Sequence, residues 1–273
     1  MSHEEFLKLV RSRELESALM HFPSPTEGAE RRSVLEIGAG TGLQASMLAA
    51  RGYNVVAIDL PTSHYLRDRV FDVIDYDGRH IHCASGSMDI VFSSNVLEHV
   101  SDIDSFLDET ARVMTDDGIA IHIIPTSSCR TWSLPAHYIW LTRRLFALGA
   151  ARHPDDTSTA TPKPKLPVGV AQWLVTLFPP RHGERGTAIT EAIYYSKRWW
   201  QRTFLSRGFQ IEGTHANHIF YTMANALTDK ISIEKRILFS RYLGSSCRIY
   251  ILRKADLGNP CISGISPASE ATT

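Results

Sequence analysis

The residues best placed by type and spacing to do chemistry begin at Glu36. Val34-Leu35-Glu36-Ile37-Gly38-Ala39-Gly40-Thr41-Gly42 is a run of strand formers that breaks into three alternating glycines. Glycine belongs where the backbone turns sharply and must approach a ligand with no Cβ in between. A glycine triplet alone is also what a tight strand-to-helix turn would use. Asp59 changes the weight, because it stands 21 residues beyond Gly38 at the end of the next β-rich run. A carboxylate there can accept hydrogen bonds from both hydroxyls of a ribose, and loop and acid together point to a nucleoside-containing cofactor. The spacing is G-x-G-x-G, not the G-x-G-x-x-G that seats a dinucleotide pyrophosphate on a helix N-terminus. Glu36 would be a poor neighbour for pyrophosphate, whereas a ligand with a cationic amino group and a sulfonium would accept it.

The elements that must position these residues alternate short strands with helices, the mark of a parallel α/β sheet. Ser33–Ile37, Asn54–Asp59, Asp89–Ser94 and Gly118–Pro125 read as strands. Leu43–Gly52 reads as a helix with Leu43 and Met47 on one face and Gly52 at its C-terminus, as helix ends prefer. Ser101 is the expected cap of a second helix, whose apolar positions Ile103, Phe106, Leu107, Val113 and Met114 keep helical spacing. Between residues 126 and 190 the rhythm breaks into prolines, a polar stretch at 153–167 and apolar patches at 136–148 and 168–178. An insertion with one or two short helices and a flexible tip is expected there. Helix, strand, helix and strand then resume at 196–207, 209–220, 231–243 and 246–252. The organisation expected is an N-terminal helical extension (1–30), one α/β domain (31–254) with its insertion, and a disordered tail (255–273).

The 273 residues are 43% hydrophobic and 21% charged, ordinary globular values that exclude collagen-like or largely disordered chains. Four widely separated cysteines with no CxxC pair argue for reduced thiols and a cytoplasmic setting. The first twenty residues contain no apolar run like that of a signal peptide. Net charge is zero, yet thirteen acids face four arginines between Asp59 and Asp117, and ten bases face four acids between Arg130 and Arg198. The acidic segment suits a cationic cofactor. The basic one holds Arg130, Arg143, Arg144, Arg181 and Arg185, which could bind a carboxylate or phosphate, though a basic run is more often a solvated face.

VLEIGAGTG, VVAIDL and DIVFSSNVLEHV, in that order, resemble the successive motifs of class I S-adenosylmethionine-dependent methyltransferases. The SSNVLEHV form is similar to the ubiquinone and menaquinone biosynthesis group and to many small-molecule methyltransferases. The likeness covers residues 32–125 well, the last two strands only by rhythm, and the 126–190 insertion hardly at all. It implies a Rossmann-like, mostly parallel seven-stranded sheet with helices on both faces and a lid-like insertion. It further implies that Glu36 orients the methionine amino end and that Gly38, Ala39, Gly40 and Gly42 form the loop beneath the cofactor. Asp59 would bind ribose, Leu60 would lie against adenine, Asp77-Gly78 would meet the adenine amino group, and Ser94 and Asn95 would line the methionine end. Ile81-His82-Cys83 replaces the family's Leu-Pro-Phe, and Asp75 is the neighbour that competes with Asp77.

Methyl transfer from a sulfonium needs mainly positioning, and a base only where the acceptor must lose a proton. His99, after the fourth strand, and His182, in the glycine-flanked segment RHGERG, are the candidate bases among twelve histidines. Glu184 and Tyr195 are the candidate substrate contacts beside them. A solvated turn is the plain alternative for RHGERG, and a conformational role the alternative for His99. His122 reads as a core histidine, His215 and His218 as structural, and His80 and His82 as lacking the partners of a metal site, so no metal is expected. Trp132, Trp140 and Trp173 suit core packing, a lid over a lipophilic acceptor, or contact with a membrane surface. Ser94-Asn95-Val96-Leu97 lacks the Pro-Pro-aromatic motif of base-modifying enzymes, which argues against nucleic acid. The function expected is methyl transfer to a small-molecule acceptor, acidic or lipophilic, with oxygen favoured. A cofactor-binding module without turnover and a nicotinamide oxidoreductase are the rivals.

Overall fold

The computed structural model of the chain describes residues 3–27, 30–63, 65–150, 177, 179–222 and 231–255. Seven strands make one sheet: β1 (Ser33–Ile37), β2 (Asn54–Asp59), β3 (Val73–Asp75), β4 (Met88–Ser94), β5 (Met114–Pro125), β6 (Phe209–Ala216) and β7 (Cys247–Lys254). Their order is β3-β2-β1-β4-β5-β7-β6. The first five pair in parallel, and β7 runs antiparallel to both β5 and β6. β1 and β4 are neighbours although their connections leave towards opposite edges. Such a reversal opens a crevice at the carboxyl ends of the strands, where α/β proteins bind ligands.

The described helices are α1 (His3–Leu19), α2 (Leu43–Ala50), α3 (Ile103–Val113), α4 (Ser127–Ala150), α5 (Glu191–Tyr194), α6 (Lys197–Ser206) and α7 (Ile233–Leu243). Alternation along the strands divides the core into two layers. Leu35, Ile37, Val91, Ala120, Tyr250 and Leu252 face Phe106 and Leu107 of α3 and Trp200 and Phe204 of α6. Val34, Ile90, Phe92, Ile121, Ile123 and Ile249 face Leu15 and Ala18 of α1 and Leu48 of α2. The N-terminal helix is therefore part of the second layer, not an appendage.

Several boundaries differ from the sequence reading. Asp102, not Ser101, caps α3, its carboxylate accepting the Ser105 N–H at 3.1 Å and the Ser105 hydroxyl at 2.7 Å. In α2 the buried residues are Gln44, Ala45 and Leu48, because the helix is turned so that Leu43 borders the cavity described below. β6 stops at Ala216, ahead of His218 with its positive φ of 54°. The segment after β5 begins with a helix of 24 residues with Pro135 inside it, longer than the short helices expected. The polar stretch 153–167, Trp173 and the tail from 256 lie outside the described residues. No described helix is long and apolar enough to cross a membrane.

Phe204 is fully buried, in an edge contact with Tyr250 at 5.3 Å and stacked on Trp200 at 5.6 Å. Phe204→Ala is expected to lower unfolding free energy by about 3–5 kcal/mol in urea titrations. Leu205→Ala next to it, at a position 60% exposed, should stay within about 0.5 kcal/mol of the parent.

Candidate cofactor and acceptor site

A cavity of about 750 Å³ occupies the crevice at the ends of β1, β2 and β4. Its floor is the glycine loop, which turns through left-handed backbone at Gly38 (φ 72°) and Gly40 (φ 58°). At Gly38 a Cβ would come within 2.4 Å of a Val96 methyl, so only glycine lets the loop pass the turn after β4. Gly42 (φ 73°) is the N-cap residue of α2 and is not among the lining residues, since its open side faces Phe71 and Val73. Gly38, Ala39 and Gly40 do line the cavity.

Asp59 lies at the rim with one carboxylate oxygen accepting the Gly40 N–H at 3.1 Å and the other the Leu60 N–H at 2.9 Å. A carboxylate has roughly four acceptor positions, so capacity for two hydroxyls remains. Leu60, Asp77 and Gly78 continue the same wall. Gly78 (φ 80°) leaves room for the Leu60 side chain, which a Cβ would meet at 3.0 Å. The Asp77 carboxylate folds its own turn by accepting the Arg79 and His80 N–H groups at 2.8 and 2.7 Å, and these bonds with the His80 ring hold its pKa well below the usual carboxylate range. Asp75 is exposed and paired with Arg69 at 2.8 Å, so of the two neighbours only Asp77 reaches the cavity.

The opposite end is built from Ser94 and Asn95. Asn95 takes a positive φ of 57° and donates to Glu14 at 3.3 Å. Glu14 is wholly buried and pairs with Arg11 at 2.6 Å, and Arg11, Lys8 and Leu7 form the roof. Burial opposes the Arg11 charge, but Glu14 outweighs it and keeps the guanidinium cationic. The sequence reading missed this roof, as it missed Tyr65, Tyr76 and Arg79 along the walls. An Arg and a Glu three apart on a helix signal only a local pair, and nothing local says which cavity they close.

Glu36 is not on the cavity surface. It is buried behind the glycine loop, where the Ala45 N–H serves its carboxylate while Oε2 has no partner. Burial raises its pKa to about 8, with Asp59 adding a smaller push in the same direction.

His99 and His182 meet edge to face at the mouth, ring centroids 4.8 Å apart, and both line the cavity. Burial lowers both pKa values, that of His182 to about 4 with help from His99 and Arg130, so the imidazoles are neutral at physiological pH. Glu98, wholly buried with both carboxylate oxygens unpartnered, completes a trio whose ligand atoms lie within 4.8 Å of one another. This is the one group among the described residues that could hold a metal ion, a juxtaposition the sequence reading did not anticipate.

Other expected contacts are placed elsewhere. Glu184 is exposed and paired with Arg181 at 3.4 Å, and Tyr195 is buried behind the loop with its hydroxyl on Glu191. Neither lines the cavity, because the loop turns these side chains outward and inward, respectively. Arg130 is 3% exposed and committed to Glu191, so it offers no free charge to an anion. His122 is the core histidine expected, its Nδ1 hydrogen-bonded to Ser93 at 2.8 Å and its pKa pushed down to about 3 by burial.

Residues 35–122 match the family described as a methyltransferase domain. The chain carries a class I methyltransferase domain. Over 96 residues it is 31% identical to the biotin biosynthesis bifunctional protein BioHC of Cellvibrio japonicus, covering 33% of this chain and 19% of that one. Over 151 residues it is 26% identical to a ubiquinone biosynthesis O-methyltransferase of Chelativorans, covering 50% and 60%. The chain thus spans less than two thirds of either relative. The fold is shared with an S-adenosylmethionine-dependent methyltransferase from Mesorhizobium loti (TM-score 0.52, 15% identity, 89% and 98% covered). It is also shared with one from Archaeoglobus fulgidus (0.50, 16%, 93% and 100%). The cofactor of the methyltransferase domain is S-adenosylmethionine. The residues present fit it: a glycine cradle, a rim carboxylate with spare acceptors, and an unpartnered buried carboxylate oxygen behind the loop.

Gly38→Ala should cost about 1–3 kcal/mol from the disfavoured φ alone and disturb the Val96 contact, read as a lower Tm and weaker S-adenosylhomocysteine binding in calorimetry. Glu36 gives a pH signature. Its folded pKa exceeds the unfolded one, so its contribution is full below about 4.5 and is lost progressively as pH rises to about 8. Glu36→Gln should flatten that part of the stability curve, measured by urea unfolding across the range.

Proposed function

We propose that the chain transfers the methyl group of S-adenosylmethionine to an oxygen of a small-molecule acceptor that enters between His99 and His182. The carrying observation is a cavity with an adenosine-type wall at Asp59 and two neutral imidazoles at its mouth. The cofactor, when bound, supplies a methyl group on a sulfonium, displaced in line with little need for covalent help.

In this reading Asp59 holds the ribose, Leu60 and Asp77-Gly78 flank the adenine, and the Gly38-Ala39-Gly40 backbone passes beneath. Gly42 sets the start of α2. Ser94, Asn95 and the Arg11 guanidinium receive the methionine end, and Glu36 orients its amino end from behind the loop. His182 Nδ1 or Nε2 takes the proton of the acceptor hydroxyl, and His99 holds the facing side. Glu184 and Tyr195 act through the loop that carries His182. Support for oxygen comes from two relatives named as O-methyltransferases, one for ubiquinone biosynthesis and one, from Geobacter sulfurreducens, for malonyl-acyl carrier protein. The reading includes a biosynthetic or tailoring role in the cytoplasm and no nucleic-acid partner, in keeping with the zero net charge.

S-adenosylhomocysteine should bind in calorimetry while a nicotinamide dinucleotide should not, and Asp59→Ala should weaken it by about tenfold or more, the loss of charge-assisted hydrogen bonds worth roughly 1.5–3 kcal/mol. Unchanged binding in that variant would remove the ribose assignment. With radiolabelled methyl donor and a panel of phenols and carboxylic acids, His182→Ala should lose about 10²–10⁴ in kcat/KM. The parent rate should fall only as pH drops towards about 4, where His182 becomes protonated.

A further inference from the structure

Behind the cavity mouth lies a fully buried ion pair that no step above uses. Arg130 of α4 and Glu191 of α5 meet at 2.8 Å, with side chains 3% and 0% exposed. Burying both charges is costly unless every remaining polar position is also satisfied, and a pair replaced by well-packed neutral groups is often no less stable. Stability alone is therefore a weak reason for it.

What the pair holds is the segment 180–191. Glu191 accepts the His182 N–H with both oxygens, at 2.9 and 3.1 Å, and the Gly183 N–H with Oε1. The Tyr195 hydroxyl donates to the same oxygen at 3.3 Å. Arg130 completes the ring by donating to the carbonyls of Ala188 at 3.0 Å and Pro180 at 2.8 Å. One carboxylate thus gathers the backbone at the candidate base, and one guanidinium grips the two ends of the same loop.

The other side of the loop is fastened to the turn after β4. The Glu184 N–H donates to Glu98 O at 2.9 Å, and Arg185 donates to Leu97 O at 3.3 Å and to Val100 O. Gly183 sits where a Cβ would come within 2.7 Å of Glu98 O and 2.9 Å of the Tyr195 hydroxyl. The loop is pressed between the buried carboxylate and the turn that carries His99. That sandwich sets the separation of the two imidazoles.

We propose that Arg130 and Glu191 are positioning residues: their buried pair fixes the His182 backbone so that its ring stands against His99 at the acceptor end of the cavity. The proposal rests on the reading that His182 faces the acceptor. It gives the helix after β5 a role in the site, since Arg130 is the side chain through which α4 reaches the loop.

The test compares the parent with Glu191→Gln and with the double variant Arg130→Met/Glu191→Gln. The double change removes both charges while keeping an amide oxygen for the loop N–H groups, and so it should fold even where the single change leaves Arg130 unpaired. In protein labelled at histidine Cε1, the parent should show a His99–His182 ring cross-peak. Both variants should lose it and shift the His182 signal, while the distant core His122 signal stays in place. S-adenosylhomocysteine affinity should stay within about twofold, as expected for sites that share no partner. A retained cross-peak with an unmoved His182 signal in the folded double variant would overturn the proposal, as would its absence in the parent. Failure of the parent to bind S-adenosylhomocysteine would instead sink the functional reading, so the two are separable.

Discussion

The contact between Gly38 and Val96 joins the two strands on which the site depends. β1 and β4 lie side by side with connections that diverge, and the crevice between their ends has to be crossed by a loop from each. Backbone groups can approach a ligand there only if the two loops pass at van der Waals distance. The absent Cβ of Gly38, with its positive φ, makes that passage possible. Asp59, Asn95 and the His99 turn all take their positions from the same junction.

Polar burial then sorts the site into layers. Glu36, Glu98, Glu14 and Glu191 are all buried around the cavity, yet they are satisfied differently. Glu14 and Glu191 each have an arginine, and both use it to organise backbone or side chains from distant elements. Glu36 and Glu98 keep oxygens without partners, and burial raises both pKa values to about 8. The paired carboxylates brace the walls, while the unpaired ones keep oxygens with no hydrogen-bond partner.

The described start of the insertion, α4, braces this arrangement. The Thr126 hydroxyl just ahead of α4 donates to Ser245 O in the α7–β7 link at 2.6 Å, and the Trp132 ring N–H of α4 donates to Leu243 O at the end of α7 at 3.0 Å. Arg130 of α4 then reaches across to the His182 loop. Trp132 is partly exposed and hydrogen-bonded at the α7 end, not buried in the core. The basic balance noticed in this stretch is accordingly spent in part on internal structure, with Arg130 paired and Arg185 stacked over Trp199 at 5.1 Å.

The sequence by itself determined the strand–glycine–helix start, the acid closing β2 and the alternation that divides the core, because each is a local pattern of backbone preference or period, whereas Asp77-Gly78 followed only from the family resemblance. It also marked His99 and His182 as residues of interest, without their contact. Only the tertiary structure decided that the N-terminal helix roofs the cavity and that Glu36 sits behind its wall. The same holds for Tyr195 and Arg130, which face a buried carboxylate instead of an acceptor. Most of those facts depend on residues far apart in the sequence meeting, as with Arg130 and Ala188 at 58 positions and Glu14 and Asn217 at 203. Charge and side-chain type state what a residue can bind, but which partner arrives first is set by packing, and a buried arginine that finds a carboxylate is no longer available to a ligand.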